Sequence, residues 1–159
     1  MKAHHWILVL AISTAANTAF AQAPATKPPI GVPADAKPFN GKWYRVYLEK
    51  VPWHRAREKC TALGGQLAIV PDEPTWEFLT NLSPAILWLG ATDERTEGVW
   101  LWVDGTPMTF TAWHDRQPDN MGGNEHYIVS YQKRWNDVPK HGNFGPYHAG
   151  GFICEWKAK

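Results

Sequence analysis

The chain lacks the short motifs that mark most enzymes and the charge that marks a nucleic-acid binder. Its 159 residues contain no Gly-x-Ser-x-Gly turn, His-Glu-x-x-His helix, Cys-x-x-Cys pair or phosphate-binding loop. The net charge is only +1, so the basic stripe of a nucleic-acid-binding protein is absent. We therefore expect neither catalysis nor a nucleic-acid partner.

Apolar runs long enough to cross a membrane are also missing. Residues 6–12 are apolar, but a transmembrane helix needs about 20 such residues. This run follows Lys2 and precedes the small-residue ending Ala19-Phe20-Ala21, which is the pattern of a secretory signal peptide. We expect residues 1–21 to be a signal peptide, the mature form to lack a membrane span, and the protein to be secreted or periplasmic.

No internal repeat, heptad stalk or collagen pattern divides the remaining chain. Residues 22–38 are rich in proline, alanine and lysine, which favours an extended linker without a core of its own. The segment 39–159 is long enough for one domain with a hydrophobic core. We expect a linker followed by a single domain.

Hydrophobic periodicity predicts two early helices and a later sheet. The helices are expected at residues 53–63, where Gly64 and Gly65 supply the stop, and from Asp72 or Glu73 to residue 82. Strands are expected at residues 40–48, 66–70, 86–91, 100–103, 126–131 and 151–156. This order predicts an α+β domain with a mostly antiparallel sheet.

Residues 113–137 are rich in turn-forming residues and hard oxygen donors. Five side chains in this segment, named below, could act as calcium ligands. Calcium takes about six to eight oxygen ligands, so these five and one backbone carbonyl would leave about two positions for the vicinal hydroxyls of a sugar. Pro118 permits a cis peptide bond at a cost of about 0.5–1 kcal/mol. A solvated polar loop is the alternative interpretation. The five donors are Gln117, Asp119, Glu125, Asn136 and Asp137.

Three separated motifs resemble the C-type lectin-like domain family. Trp88-Leu89-Gly90-Ala91 is similar to the family's core strand, Gln117-Pro118-Asp119 to its calcium loop, and Trp135-Asn136-Asp137 to its calcium-binding strand. The resemblance covers roughly residues 39–156. It implies a C-type lectin-like fold, a Ca²⁺ cofactor and calcium-dependent carbohydrate binding without catalysis, in a secreted, bacterial-type variant.

The chain has only two cysteines, Cys60 and Cys154, which a secreted protein can oxidise. They correspond to the family's core disulfide between the first helix and the last strand. The family's second disulfide has no counterpart, because its positions match Tyr127 and Lys140. Packing and the ion itself are therefore expected to order the calcium loops.

The resemblance also indicates which sugar is preferred. Gln-Pro-Asp resembles the loop of galactose-type binders, whereas Glu-Pro-Asn is similar to mannose-type binders, because the exchange of acid and amide changes which hydroxyl meets a donor. The expected ligand contacts are Gln117, Asp119, Glu125 and Asn136. The stacking tryptophan of galactose binders is absent, and Tyr147 or His148 is a substitute unless both belong to a plain glycine-flanked loop.

An accessory calcium site of the family matches Asp93 and Glu97. Its loop partners correspond to Asn120 and His126, where acids would be expected, and an amide and an imidazole attract a hard ion less strongly. Turn hydrogen bonds or salt bridges of Asp93 and Glu97 are the alternative. The spacing of the histidines in the second half of the chain matches no zinc pattern.

Two further hypotheses complete the interpretation. Most of the ten tryptophans fall in predicted elements and are expected in the core, while Trp113 and Trp135 flank the donors and are expected to orient the loops.

The rival to sugar binding is a calcium-stabilised structural or protein-interaction module that recognises a protein or a cell surface.

Overall fold

A computed structural model describes residues 27–158, so the predicted signal peptide and the first part of the predicted linker lie outside the described residues. The elements follow one another in an α+β order. They are β1 (Lys37–Phe39), β2 (Lys42–Tyr47), α1 (Trp53–Ala62), β3 (Gln66–Leu67), α2 (Glu73–Leu82), β4 (Leu87–Thr92), β5 (Leu101–Trp102), β6 (Glu125–Tyr131), β7 (Arg134–Pro139), β8 (Asn143–Phe144), β9 (Tyr147–His148) and β10 (Gly151–Lys157).

The main sheet has the strand order β1-β2-β10-β4-β6-β7, with β3 added to β10 and β5 to β4. Its strands pair antiparallel except β10 with β4, which pair in parallel. A short hairpin of β8 and β9 stands apart. The predicted α+β class with two helices and a mostly antiparallel sheet is confirmed.

Local chemistry accounts for the end of α1 and for the start of α2. In α1, Trp53, Ala56 and Cys60 are buried at helical spacing, and Gly64 follows the helix with a φ of 75° that favours glycine. In α2, the carboxylate of Asp72 accepts a hydrogen bond of 2.9 Å from the N–H of Thr75, which caps the helix. Hydrogen bonds from the side chain of Thr75 and then from its N–H lower the pKa of Asp72.

The sheet separates two buried clusters. Along β4, Trp88 belongs to one cluster, whereas its neighbours Leu87 and Leu89 belong to the other, as alternation along a strand requires. The predicted disulfide is present: Cys60 and Cys154 join α1 to β10, with 5.4 Å between their Cα atoms. One face of the sheet is thereby tied covalently to α1.

Residues just before position 39 pack against the rest of the fold. Ala36 is buried in the core, and Pro38 in β1 lies opposite Trp43 in β2. An edge strand tolerates proline because its outward-facing N–H is not needed in the ladder. The predicted boundary between linker and domain therefore falls inside a strand.

Packing occupies the position of the second family disulfide. Tyr127 is 2% exposed and its ring centre lies 4.9 Å from that of Trp53. The carbonyl of Lys140 accepts a hydrogen bond of 2.9 Å from the N–H of Trp53. The start of α1 thus holds both segments that the disulfide would join.

Among residues 27–158, no helix has the length and apolar character to cross a bilayer.

Candidate metal centre

The site is built on the edge strand β7 and the loop before β6. Trp113 forms a parallel bridge with Trp135. Two backbone hydrogen bonds of 2.8 Å, from Trp135 N–H to the carbonyl of Ala112 and from His114 N–H to the carbonyl of Trp135, fix this register. The loop is therefore attached to β7 immediately before Asn136 and Asp137.

Trp135 anchors this attachment in the core. Its side chain is fully buried, and four aromatic rings meet it edge to face at centre distances of 5.7–5.9 Å. Aromatic rings prefer this arrangement because the positive edge of one faces the negative face of the other. These rings belong to Trp76, Trp102, Phe110 and Trp113. The expectation that Trp113 and Trp135 orient the loop agrees with this packing.

Three carboxylates converge between the loop and the strand pair. One oxygen from each of Asp119, Glu125 and Asp137 lies within 4.8 Å of the others. Asp137 is fully buried and Glu125 is 7% exposed, while Asp119 is exposed. Three negative charges in so small a volume are unfavourable unless a cation or protons neutralise them.

Backbone N–H groups of the loop point at these carboxylates. The two oxygens of Asp137 accept hydrogen bonds from the N–H groups of Asp119 (3.2 Å) and Asn120 (2.8 Å). Oε2 of Glu125 accepts from Met121 N–H at 2.9 Å, and Oδ1 of Asn120 accepts from Glu125 N–H at 3.0 Å. The loop is thus closed around the acids.

Left-handed residues make this closure possible. Asn120 has a φ of 44°, and Gly122 and Gly123 have φ values of 76° and 71° within a short 3₁₀ turn. Asparagine and glycine tolerate this region better than other residues. The chain therefore reverses tightly enough for its amides to reach Asp137 and Glu125.

Burial raises the proton affinity of two of the carboxylates, Glu125 and Asp137. Burial, and then repulsion from Asp137 and Asp119, raises the pKa of Glu125 from 4.5 to about 7, although the Met121 N–H works in the opposite direction. Burial also raises the pKa of Asp137, opposed by its bonds to the loop amides. In the metal-free protein, Glu125 therefore keeps its proton at pH values well above those at which a carboxyl group usually ionises.

Gln117, two residues before Asp119, carries a buried oxygen without a partner in the described part of the chain. Its Oε1 is buried, and no hydrogen-bond partner for it exists within residues 27–158. An unsatisfied buried carbonyl costs about 1–3 kcal/mol, which a coordinated cation would offset. The Gln117–Pro118 peptide bond is cis. Asn136 precedes Asp137 on β7, and its Nδ2 donates to the carbonyl of Asp137 at 3.0 Å.

These donors fit a calcium ion. Three carboxylates and the amide oxygens of Gln117 and Asn136 are hard ligands, and calcium accepts such mixed sets with tolerant geometry. An ion among the three carboxylates would neutralise charges that burial disfavours. The five predicted donors thus lie on one loop and two paired strands.

Of the two loop partners expected for the accessory acids, the structure places His126 beside them and Asn120 in the main loop. The carbonyl of the Asn120 side chain accepts from Glu125 N–H within the main loop. Asp93 and Glu97 cluster with His126, whose Nδ1 lies 3.1 Å from Asp93 Oδ1 and 3.5 Å from Glu97 Oε2. A nitrogen donor therefore joins the two accessory acids.

The predicted stacking residues lie on β9. Tyr147 is 45% exposed, and its ring centre lies 5.0 Å from that of Tyr131 and 5.5 Å from that of Phe144. His148 is held close to the backbone, with Nδ1 2.6 Å from the carbonyl of Ala149. Sequence reasoning missed Tyr131 and Phe144, because only the fold brings the ends of β6 and β8 to Tyr147.

The fold and the acid-lined loop define the class of this protein. The family model described as Lectin C-type domain matches residues 49–145, and the chain belongs to this family. Family membership makes it a non-enzymatic binding domain, as the sequence predicted.

Individual relatives support this placement. The chain is 38% identical over 110 residues to C-type lectin domain family 4 member F of Mus musculus, covering 64% of this chain and 20% of the relative, so it spans only a fifth of that protein's length. It is 30% identical over 113 residues to the Type-2 ice-structuring protein of Hemitripterus americanus, covering 70% of this chain and 69% of the relative.

A solved structure has the same fold. The mouse scavenger receptor C-type lectin carbohydrate-recognition domain superposes with a TM-score of 0.72 and 27% identity, covering 80% of this chain and 98% of that one. The C-type lectin fold is therefore confirmed. The relatives named here come from animals and lend no support to the bacterial-type part of the expectation.

Proposed function

We propose that the chain is a calcium-dependent carbohydrate-binding domain. Gln117, Asp119, Glu125, Asn136 and Asp137 would hold the ion. The observation that carries the proposal is the group of three carboxylates with oxygens within 4.8 Å of one another, two of them buried. A surface loop without a ligand has no reason to concentrate this charge.

The charge balance supports a divalent cation over a monovalent one. Three carboxylates carry a formal charge of −3 when ionised, and the raised pKa of Glu125, about 7, reflects how poorly the metal-free site tolerates it. A Ca²⁺ ion would keep all three ionised at neutral pH and leave a net charge near −1. Calcium binding should therefore release a proton from the site near pH 7.

Sugar binding follows from the coordination number. Five side chains and a backbone carbonyl leave about two positions on a calcium ion, which two vicinal hydroxyls fill. These hydroxyls donate to carboxylates and accept from amides. In this chain the amide Gln117 precedes the acid Asp119, and we propose that this order gives a galactose-type preference.

Aromatic side chains support a contact with the apolar face of the sugar. Asn136 pairs with Val129, which makes Tyr131 a diagonal neighbour of Asn136 at about 7–8 Å. Tyr131 packs against the exposed Tyr147. We propose that Tyr147, supported by Tyr131, replaces the missing tryptophan, while His148 contributes at the edge of the same hairpin.

Thermal unfolding of the purified protein tests these proposals. We expect the midpoint to rise with CaCl₂ over chelator, and to rise further with galactose but not with mannose, because a ligand that binds only the native state stabilises it. The double variant Gln117→Glu/Asp119→Asn keeps the charge and the donor count. It should respond to calcium but exchange galactose for mannose.

Two results would contradict the proposal. No response to calcium would leave the acids without an ion. Equal responses of the wild type and of the double variant to both sugars would refute the role of Gln117 and Asp119 in specificity. A response to calcium alone would favour the rival function, a calcium-stabilised structural or protein-interaction module. That rival is favoured by the absence of a tryptophan after the loop and by the ice-structuring relative.

We further propose that the protein acts outside the cytoplasm, secreted or periplasmic, after loss of residues 1–21. The signal-peptide pattern and the Cys60–Cys154 disulfide support this location. Intact-mass measurement of the exported protein checks it, because cleavage after Ala21 predicts a mature chain that begins at Gln22.

A further inference from the structure

A second cluster of ligating side chains lies where β4 ends and β6 begins. It consists of Asp93, Glu97 and His126, and one potential ligand atom from each lies within 4.8 Å of the others. The Nδ1 of His126 is 3.1 Å from Asp93 Oδ1 and 3.5 Å from Glu97 Oε2. This group shares no side chain with the five donors of the main site.

The backbone holds Asp93 in a fixed position. Its side chain is 1% exposed, and its Oδ2 accepts a hydrogen bond of 2.8 Å from the N–H of Gly98. Its carbonyl accepts from Thr96 N–H at 2.9 Å, which closes the turn, and its own N–H donates to the carbonyl of His126 at 3.3 Å. Oδ1 is thereby directed at the imidazole, while Glu97 remains 57% exposed on the open side.

The donor set matches zinc better than calcium. Zn²⁺ binds imidazole nitrogen and carboxylate oxygen with bonds of about 2.0–2.2 Å, and three protein ligands leave a fourth tetrahedral position open. In a tetrahedron with such bonds, neighbouring ligand atoms lie about 3.3–3.6 Å apart, close to the two distances from Nδ1 of His126. Calcium prefers six to eight oxygen ligands and gains little from an imidazole.

We propose that Asp93, Glu97 and His126 bind a Zn²⁺ ion, in place of the accessory calcium ion expected from the sequence. The ion would link the loop after β4 to the start of β6, where His126 follows Glu125. The open position would take water or a ligand of a partner. This proposal is independent of calcium and of sugar binding at the main site.

Isothermal titration of the whole protein with ZnCl₂ in saturating CaCl₂ tests the proposal, because calcium then occupies the main site. We expect one Zn²⁺ per chain. His126→Gln should weaken binding by more than about 100-fold, beyond the 10–100-fold typical of outer-shell changes. His141→Gln, at an exposed histidine, is the matched control and should bind as the wild type does. Cobalt should give the visible absorption of a tetrahedral site in the wild type and in His141→Gln, but not in His126→Gln.

A second pair of variants separates zinc binding from misfolding. Glu97→Gln changes an exposed side chain and should also weaken zinc binding while the calcium response persists. Asp137→Asn disables the proposed calcium site and should leave zinc binding intact. Absence of zinc binding by the wild type, or equal binding by wild type and His126→Gln, would overturn the proposal and leave a salt-bridged turn.

Discussion

Replacement of Glu125 by glutamine should change stability in opposite directions with and without calcium. The side chain is 7% exposed, and the Met121 N–H that it accepts can equally be accepted by an amide oxygen. Without metal, the wild-type carboxylate is buried beside Asp137 and Asp119. Glu125→Gln removes that charge at nearly constant volume and should therefore stabilise the metal-free protein.

The magnitude follows from the pKa. A folded-state value of about 7 against 4.5 for an ordinary glutamate corresponds to about 3 kcal/mol, at about 1.4 kcal/mol per pH unit. Because the folded pKa is raised, this stability is present below pH 4.5 and is lost as the pH rises through about 7. Chelated Glu125→Gln should thus match the wild type near pH 4 and exceed it by about 2–3 kcal/mol at pH 8.

Thermal unfolding in chelator and in CaCl₂, at both pH values, measures the effect. At pH 8 in chelator, the variant's midpoint should be roughly 10 °C higher, and in calcium the order should reverse because the variant has lost a charged ligand. Glu77→Gln, on the exposed side of α2, is the matched control and should show neither change. A chelated variant less stable than the wild type at pH 8 would refute this reasoning.

Three further predictions concern the site and its support. Asn136→Ala/Asp137→Ala should abolish calcium-dependent stabilisation yet leave a folded domain by circular dichroism; unfolding in excess calcium would instead make these residues structural. Cys60→Ser/Cys154→Ser, which opens a loop with a sequence separation of 94 residues, should lower the unfolding free energy in urea by about 4–5 kcal/mol. A loss below about 1 kcal/mol would mean that the unfolded chain gains little freedom. Lys42→Met leaves the buried carboxylate of Glu155 without its 2.8 Å ion pair and should cost about 3 kcal/mol, whereas the exposed Arg55→Met should cost less than about 1 kcal/mol.

The sequence predicted the regular elements well where local signals agree. The periodicity of Trp53, Ala56 and Cys60, with glycine after the helix, located α1 to within one residue. The aspartate at the start of α2 is the cap that its residue type predicts. The short strands β1, β8 and β9 went unpredicted, because two or three residues next to turn-forming residues carry no periodic signal.

The sequence identified the donors of the main site by residue type, but it did not give their burial or protonation. Oxygen donors among turn residues pointed to calcium, and the loop does converge on β6 and β7. The sequence could not show that Asp137 is fully buried or that Glu125 has a pKa near 7. Both depend on amides and apolar residues that the fold brings from elsewhere.

The sequence by itself determined the class of fold, the covalent bridge and the chemical type of each ligand, since these depend on residue identity and local pattern. Tertiary structure alone decided which ligands share a site. Of the two loop partners that the resemblance offered for Asp93, it placed His126 against Asp93 and kept Asn120 within the main loop. Pairing of distant strands fixes such contacts, and no local pattern carries that register.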